Sequence, residues 1–212
     1  MSWALNDLDK RLVKYLNFKN GYFIELGAND GINQSNTMYF EKYYGWSGLL
    51  IEPHFPNFVK LRENRSKKNS YCNCACVEFD FKSKNYNYIY SNLMSIGIDD
   101  KNEIEDRFGH AEKGLTFLKP GEQNQVFKSE ARTLDSVLRE FNSPKCIDLF
   151  SLDVEGAELS VLRGIDFREF SFRYILLESR NIDAIKSFLT SKNYKLIEQL
   201  STHDYLFEFE GK

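Results

Sequence analysis

The sequence predicts an α/β protein built on a doubly wound, mostly parallel sheet that ends in an antiparallel hairpin. Three observations predict it. Short, near-continuous apolar strands alternate with helical segments, the pattern of strands covered on both faces. The first strand runs straight into a small-residue turn, Gly27-Ala28-Asn29-Asp30-Gly31. The last two strand-like segments are joined only by Ser201-Thr202-His203-Asp204, too short a link for a parallel crossover.

The elements follow in order. Asn6 to Asn17 places Leu8, Leu12, Tyr15 and Leu16 at helical spacing, which predicts an amphipathic first helix stopped at Asn20-Gly21. Tyr22 to Leu26 is a strand with Glu25 set into it. Ser35 to Tyr44 is a helix capped by Ser35 or Asn36 and ended by Gly45. Ser47 to Glu52 is the second strand. Pro53 to Asn64 is the second helix, with Phe55, Phe58 and Leu61 on one side, and Arg62 to Lys68 reads as its solvated end. Ser70 to Val77 is the third strand. The alternation then loosens over an insertion, Phe81 to Arg132. Tyr86, Tyr88 and Tyr90 alternate there as in a strand, and a polar stretch runs around Asp99 to Glu112. Regular order resumes with a helix at Leu134 to Phe141 and a buried strand from Cys146 to Leu152 that ends in Asp153. A helix at Ala157 to Leu162 stops at Gly164. A strand at Tyr174 to Leu177 ends in Glu178, and a helix spans Asp183 to Leu189. The strands Lys195 to Leu200 and Tyr205 to Phe209 form the closing hairpin. The 212 residues fit a single domain carrying that insertion.

Composition narrows the function. Net charge is −3 and no long basic run occurs, so duplex nucleic acid is not an expected partner. No apolar run approaches the ~18 residues that would span a membrane, and Met1 to Val13 carries Asp7 and Asp9 instead of a signal-peptide core. A cytoplasmic location is the default expectation. Of the four cysteines, Cys72, Cys74 and Cys76 alternate along one strand and read as buried reduced thiols, not a zinc site.

The turn after the first strand carries the chemistry. Glycine permits positive φ and close backbone approach by a cofactor lying across the strand end. Asn29 stands at the middle position, and asparagine is the non-glycine residue most tolerant of left-handed geometry. A dinucleotide fingerprint would need glycines at 29 and 32, where Asn29 and Ile32 stand. Glu52 ends the second strand, where an acid accepts hydrogen bonds from ribose hydroxyls in doubly wound folds. No Lys or Arg occurs in the turn, so a phosphate-free cofactor fits it. Asp153 and Glu178 end the fourth and fifth strands and face the same crevice. Asp153 could instead cap the next helix, and Glu178 could pair with Arg180. A reversed last strand is the layout of the S-adenosylmethionine (SAM)-dependent, Rossmann-like class I methyltransferase fold.

The segments I-E-L-G-A-N-D-G with S-N-T, G-W-S-G-L-L-I-E-P, T-L-D-S-V-L and I-D-L-F-S-L-D-V-E-G-A-E-L-S-V-L-R-G-I together resemble the FkbM-type methyltransferases, over about Gly21 to Phe209. The resemblance implies O-methylation of sugars or other hydroxyls with SAM. It implies SAM contacts at Gly27, Asn29, Asp30, Gly31, Ser35, Asn36 and Glu52, and Glu25 at the end of the first strand joins this set. It implies a methyl-transfer site at Asp153 and Glu155.

The expected reaction is SAM-dependent methylation of a small hydroxylated acceptor, a sugar or nucleotide sugar. N-methylation and a non-catalytic SAM- or nucleotide-binding protein are the alternatives. Asp153, Glu155, Glu178 and His203 are the expected catalytic set. His203 sits in a hairpin turn expected to overhang the crevice, as a base or as the third ligand of a Mg, Mn or Fe ion held with Asp153 and Glu178. His54 is expected on the surface near the adenosine, and His110 in the insertion as a lid residue. The insertion, with Tyr86, Tyr88, Tyr90 or His110, is expected to shape the acceptor pocket.

Overall fold

A computed structural model describes residues 1–98 and 102–211; the first part of the polar stretch, residues 99–101, lies outside the described residues. The chain begins with α1 (Leu8–Arg11), flanked by single 3-10 turns at Leu5–Asp7 and Leu12–Lys14. The continuous first helix expected from periodicity is therefore broken into short turns. Asn6 and Asp7 adopt positive φ (52° and 55°), which an α-helix does not accommodate. The predicted face survives, since Leu8, Leu12 and Leu16 are all buried.

The main elements are β1 (Tyr22–Leu26), α2 (Met38–Tyr44), β2 (Ser47–Ile51), α3 (Phe55–Asn64) and β3 (Ser70–Cys72). After them come β4 (Ala75–Cys76), β5 (Asn85–Tyr90), β6 (Ile96–Gly97), α4 (Arg107–Lys113) and β7 (Gln125–Arg132). The chain closes with α5 (Leu134–Glu140), β8 (Cys146–Leu152), α6 (Glu158–Leu162), β9 (Ser171–Glu178), α7 (Ile182–Thr190), β10 (Tyr194–Gln199) and β11 (Asp204–Phe209).

Seven strands form the central sheet in the order β10-β11-β9-β8-β1-β2-β3. β1 pairs in parallel with β2 and β8, and β8 with β9. β11 is antiparallel to both of its neighbours, β9 and β10, as the short final link requires. Alternate residues of the strands feed two cores. Ile24, Ile51, Phe150 and Leu177 pack with Val137, Leu162 and Ile185 on one face. Phe23, Leu50, Leu149 and Leu176 pack with Leu12, Leu16, Phe40 and Trp46 on the other. Among the described residues no helix is long and apolar enough to cross a membrane.

The predicted third strand is divided. β3 stays in the main sheet, and the chain turns at Asn73, whose Nδ2 donates to the carbonyl oxygens of Glu52 (2.7 Å) and Pro53 (3.1 Å). β4 then opens a second, four-stranded sheet in the order β4-β7-β5-β6, built mostly from the insertion. Cys72, Cys74 and Cys76 are buried and free, as the alternation predicts. The neighbouring Cys74 and burial push the Cys72 thiol far above its ordinary value, so it stays protonated. The helix expected from Ser35 begins three residues later, at Met38, because Ser35, Asn36 and Thr37 bond to Glu25 instead.

Candidate active site

Strand register sets the site. Leu26 pairs with Ile51 on one side and Leu152 on the other, and Leu152 pairs with Leu177. Gly27, Glu52, Asp153 and Glu178 therefore leave four strands at the same edge of the sheet. A Cβ on Gly27 would lie 1.8 Å from the Asp153 carbonyl oxygen, and its φ is +85°, so only glycine fits there. Asn29 has φ 47°, the left-handed geometry expected of it. Its backbone N–H donates to Glu52 Oε2 at 2.8 Å, and the His54 N–H donates to Glu52 Oε1 at 2.8 Å. Burial pushes the Glu52 carboxyl up to about 7, against the pull of those two donors. Asp30 folds the turn onto itself, accepting the N–H groups of Ile32 (3.1 Å) and Asn33 (2.9 Å).

Glu25 is more heavily engaged than a simple cofactor contact. It lines the cleft floor. Its oxygens accept from Ser35 Oγ (3.0 Å), the Asn36 N–H (2.8 Å), Thr37 Oγ1 (2.7 Å) and Arg65 Nη1 (3.0 Å). Asn36 turns its amide to Ser151 Oγ at 3.0 Å. Arg65 corrects the reading of Arg62 to Lys68 as a solvated helix end, because its side chain is 0% exposed. Its guanidinium also reaches Gly31 O, Ser35 Oγ, Thr37 Oγ1 and Glu41. The signal for it was Glu25 itself: a carboxylate inside an apolar strand needs a buried cation.

These elements enclose a cleft of about 760 Å³, counted to its open mouth and lined by Gly27, Asn29, Ser35, Glu52, Asp153 and Glu155. The insertion supplies its far wall through Tyr88, Asn92, Leu93 and Ser95. Tyr88 stacks on Phe127 with centroids 5.0 Å apart. Of the three alternating tyrosines only Tyr88 faces this cleft. Tyr86 packs against Phe81 and Tyr88, and Tyr90 stacks on His54 at 3.9 Å. His54 is consequently buried, not on the surface as its position after Glu52-Pro53 suggested.

The acids beyond β8 form a second group. Asp153 keeps partial exposure in the cleft wall. Crowding of its carboxyl by protein, then the charges of Glu178 and Glu155, push it well above the usual carboxylate range. Burial, with Glu155 and Asp204 adding, raises Glu178 to about 7. Asp153 does not cap α6: Ala157 holds that position without a side-chain bond. Glu158 takes the local N–H groups instead, accepting from Val154 (3.1 Å) and Gly156 (3.2 Å). Glu155 sits at φ 52°, a strained conformation for glutamate, with Gly156 beside it at +91°. The insertion braces this turn: Asn102 Nδ2 donates to Glu155 O at 2.9 Å, and the Glu103 N–H donates to Gly156 O at 2.8 Å.

The histidine that reaches this group is His110, on α4. It is buried, and its Nε2 lies 3.0 Å from Glu155 Oε2. His203, the expected base or ligand, lines neither the cleft nor the cavity beside Glu178. Its turn is tied to β9 through its backbone, the Ser179 N–H donating to His203 O at 2.8 Å, and β11 brings Asp204 opposite Glu178. The expected metal trio of Asp153, Glu178 and His203 is therefore not gathered, and among the described residues no three His, Cys, Asp or Glu side chains are arranged to hold an ion. His110 is expected from the sequence as a lid or acceptor-pocket residue of the insertion; its approach to Glu155 is not, because only the tertiary path of the insertion carries it to the end of β8.

A model of the methyltransferase FkbM domain matches residues 25–196. Among solved structures, the chain is similar to the methyltransferase FkbM from Methylobacillus flagellatus KT, with 14% identity and a TM-score of 0.50, over 90% of this chain and 44% of that one. The chain thus spans less than half the length of that relative. The METTL16 methyltransferase domain is 11% identical with a TM-score of 0.49, over 95% of this chain and 64% of that one. Precorrin-6y C5,15-methyltransferase from Geobacter metallireducens GS-15 is 10% identical with a TM-score of 0.44, over 94% and 85%. At 14% identity the first of these likenesses concerns the fold alone. No curated protein matches the sequence.

Proposed function

Because the chain belongs to the FkbM methyltransferase family, we propose that it transfers a methyl group from SAM to a hydroxyl of a small polar acceptor, a sugar or nucleotide sugar. The observation that carries the reading is one edge of the sheet. There a cleft bounded by the glycine turn and Glu52, itself raised to about 7, meets Glu178, also raised to about 7, and Asp153, raised well above the usual carboxylate range.

The residues present fit the cofactor. Among the described residues lining the cleft none is Lys or Arg, which suits a ligand without phosphates. The two Glu52 oxygens each hold one backbone N–H and keep acceptor capacity for a ribose diol. SAM, when bound, supplies a methyl group already activated on a sulfonium. The chain's own residues have two remaining tasks. The strand ends must align the acceptor oxygen, and orientation of that kind supplies several orders of magnitude. A base must take the hydroxyl proton. Asp153, with its raised affinity for protons, is the group we assign, with Glu155 nearby and His110 set against Glu155.

Incubation with SAM and a panel of free sugars and nucleotide sugars should give a product heavier by one methyl in place of one proton. Asp153→Asn should lower kcat roughly 10²–10⁴-fold while SAM still binds. Full turnover by Asp153→Asn would remove Asp153 as the base, and a product methylated on nitrogen would move the acceptor to amines.

A further inference from the structure

Behind the cleft wall lies a second, smaller cavity of about 240 Å³, lined by Glu103, Ile104, Glu155, Gly156, Glu158, Glu178, Ser179 and Arg180. Glu155 belongs to both cavities, so the two adjoin at the residue next to the methyl-transfer site. The smaller cavity's volume is counted to its open mouth; the room inside for the centre of a water-sized group is about 10 Å³, which suits one small terminal group of an acceptor, not a whole one.

The lining is chemically lopsided. Four of its charged residues are acids and one, Arg180 at the exposed rim, is a base. The groups that face these acids from outside are His110 against Glu155 and Glu178, Arg163 near Glu103, and the further carboxyls of Asp153 and Asp204. Glu158 gives the independent sign. It is 1% exposed, its Oε1 is satisfied by two backbone N–H groups, and its Oε2 has no hydrogen-bond partner. A buried acceptor left without a donor is costly, and native structures rarely keep one except where a ligand or a function uses it.

We infer that this cavity is a subsite for a cationic group of the acceptor, a primary ammonium, which anchors the molecule while its hydroxyl lies in the main cleft. An ammonium brings three donors and no acceptor, and Glu155, Glu158 and Glu178 stand around the cavity to receive them. A compact metal ion is a poorer match, since the described donors do not converge on one point. The inference rests on the methyltransferase reading for the identity of the main cleft, and it narrows the acceptor class to amino sugars and similar amino alcohols. Burial and the neighbouring acids raise Glu178 to about 7 and Glu158 to about 8, so at pH 7 Glu158 is largely and Glu178 about half protonated until a cation arrives. Ammonium binding should then expel protons to the buffer.

The test uses matched pairs, glucosamine against glucose and ethanolamine against ethylene glycol. Each is titrated calorimetrically into the full chain with and without S-adenosylhomocysteine. The amine of each pair should bind about tenfold or more tightly than its neutral partner, the size of effect expected of charge-assisted hydrogen bonds. Its enthalpy should change with the ionisation enthalpy of the buffer at pH 7. Glu158→Gln should reduce the preference to about twofold or less. Glu103→Gln, at a partly exposed position, is the second variant should Glu158→Gln fold poorly, and it should reduce the preference in the same direction. Failure to bind S-adenosylhomocysteine would overturn the cofactor reading alone. Equal affinity within both pairs, or no binding by either amine, would overturn the cationic subsite even with the cofactor bound.

Discussion

On the proposed function, Glu52 should tie cofactor affinity to pH. Its carboxyl is raised to about 7 by burial, and a ribose diol donates best to the ionised form. Affinity for S-adenosylhomocysteine should therefore be full above about pH 7 and fall as pH drops through that value. Glu52→Gln should flatten the profile, and Glu52→Ala should weaken binding by about 1–3 kcal/mol. Unchanged affinity for Glu52→Ala in calorimetry would remove the residue from the site. Arg65 is the second residue with a large expected effect. Arg65→Ala would leave Glu25 without its buried cation, held only by Ser35, Asn36 and Thr37, so denaturant unfolding should show a loss of about 3–5 kcal/mol. The two residues also show what was legible. Gly27, Asn29, Glu52 and Asp153 could be read because each sits where a strand ends, and a strand's end is visible in its apolar run. The role of Arg65 and the contact of His110 with Glu155 could not, because their partners lie on other elements and only folding supplies them.

Elements with a single buried pattern were read with true bounds: β1 and β8 match the expected spans, and the closing hairpin pairs as its short link demands. Elements whose ends depend on side-chain bonding were not. β3 ends early because Asn73 bonds across to the β2 exit, and α2 starts late because Glu25 claims the preceding loop. The caps that hold can be tested. Thr133 Oγ1 accepts the Ser136 N–H at 3.2 Å at the start of α5, so Thr133→Ala should cost about 1 kcal/mol in denaturant unfolding. The second sheet is fastened over the glycine turn by Asn29 to Asn92 and by Lys119 to Asp30 at 3.2 Å. Lys119 is half exposed, so Lys119→Ala should change global stability by less than about 1 kcal/mol. Hydrogen exchange should nonetheless speed up in the segment around it.

The whole molecule concentrates carboxyl groups with raised proton affinity: Glu52 and Glu178 at about 7, Glu158 at about 8, and Asp153 higher than usual. The ordinary values are near 4.5 for the glutamates and 3.8 for Asp153. Between about pH 4.5 and 8 the folded chain binds more protons than the unfolded one, so stability must decline as pH rises through that window. The contribution is fully present below about 4.5 and is lost once pH has risen past about 8. Thermal unfolding should therefore give a higher Tm at pH 5.5 than at pH 8.5, and Glu158→Gln should shrink the difference. A Tm that rises across this range would contradict the burial of these groups. The strand order has a consequence for synthesis. β1 lies inside the sheet between β8 and β2, yet its bond from Tyr22 N–H to Asp148 spans 126 residues of chain. On the ribosome β1, β2 and β3 can assemble early, but one flank of β1 stays a bare row of amides and carbonyls until β8 emerges. Nascent chains arrested before Cys146 should therefore be sticky, chaperone-bound and protease-sensitive, and release of β8 should mark the moment at which the growing polypeptide becomes safe from aggregation.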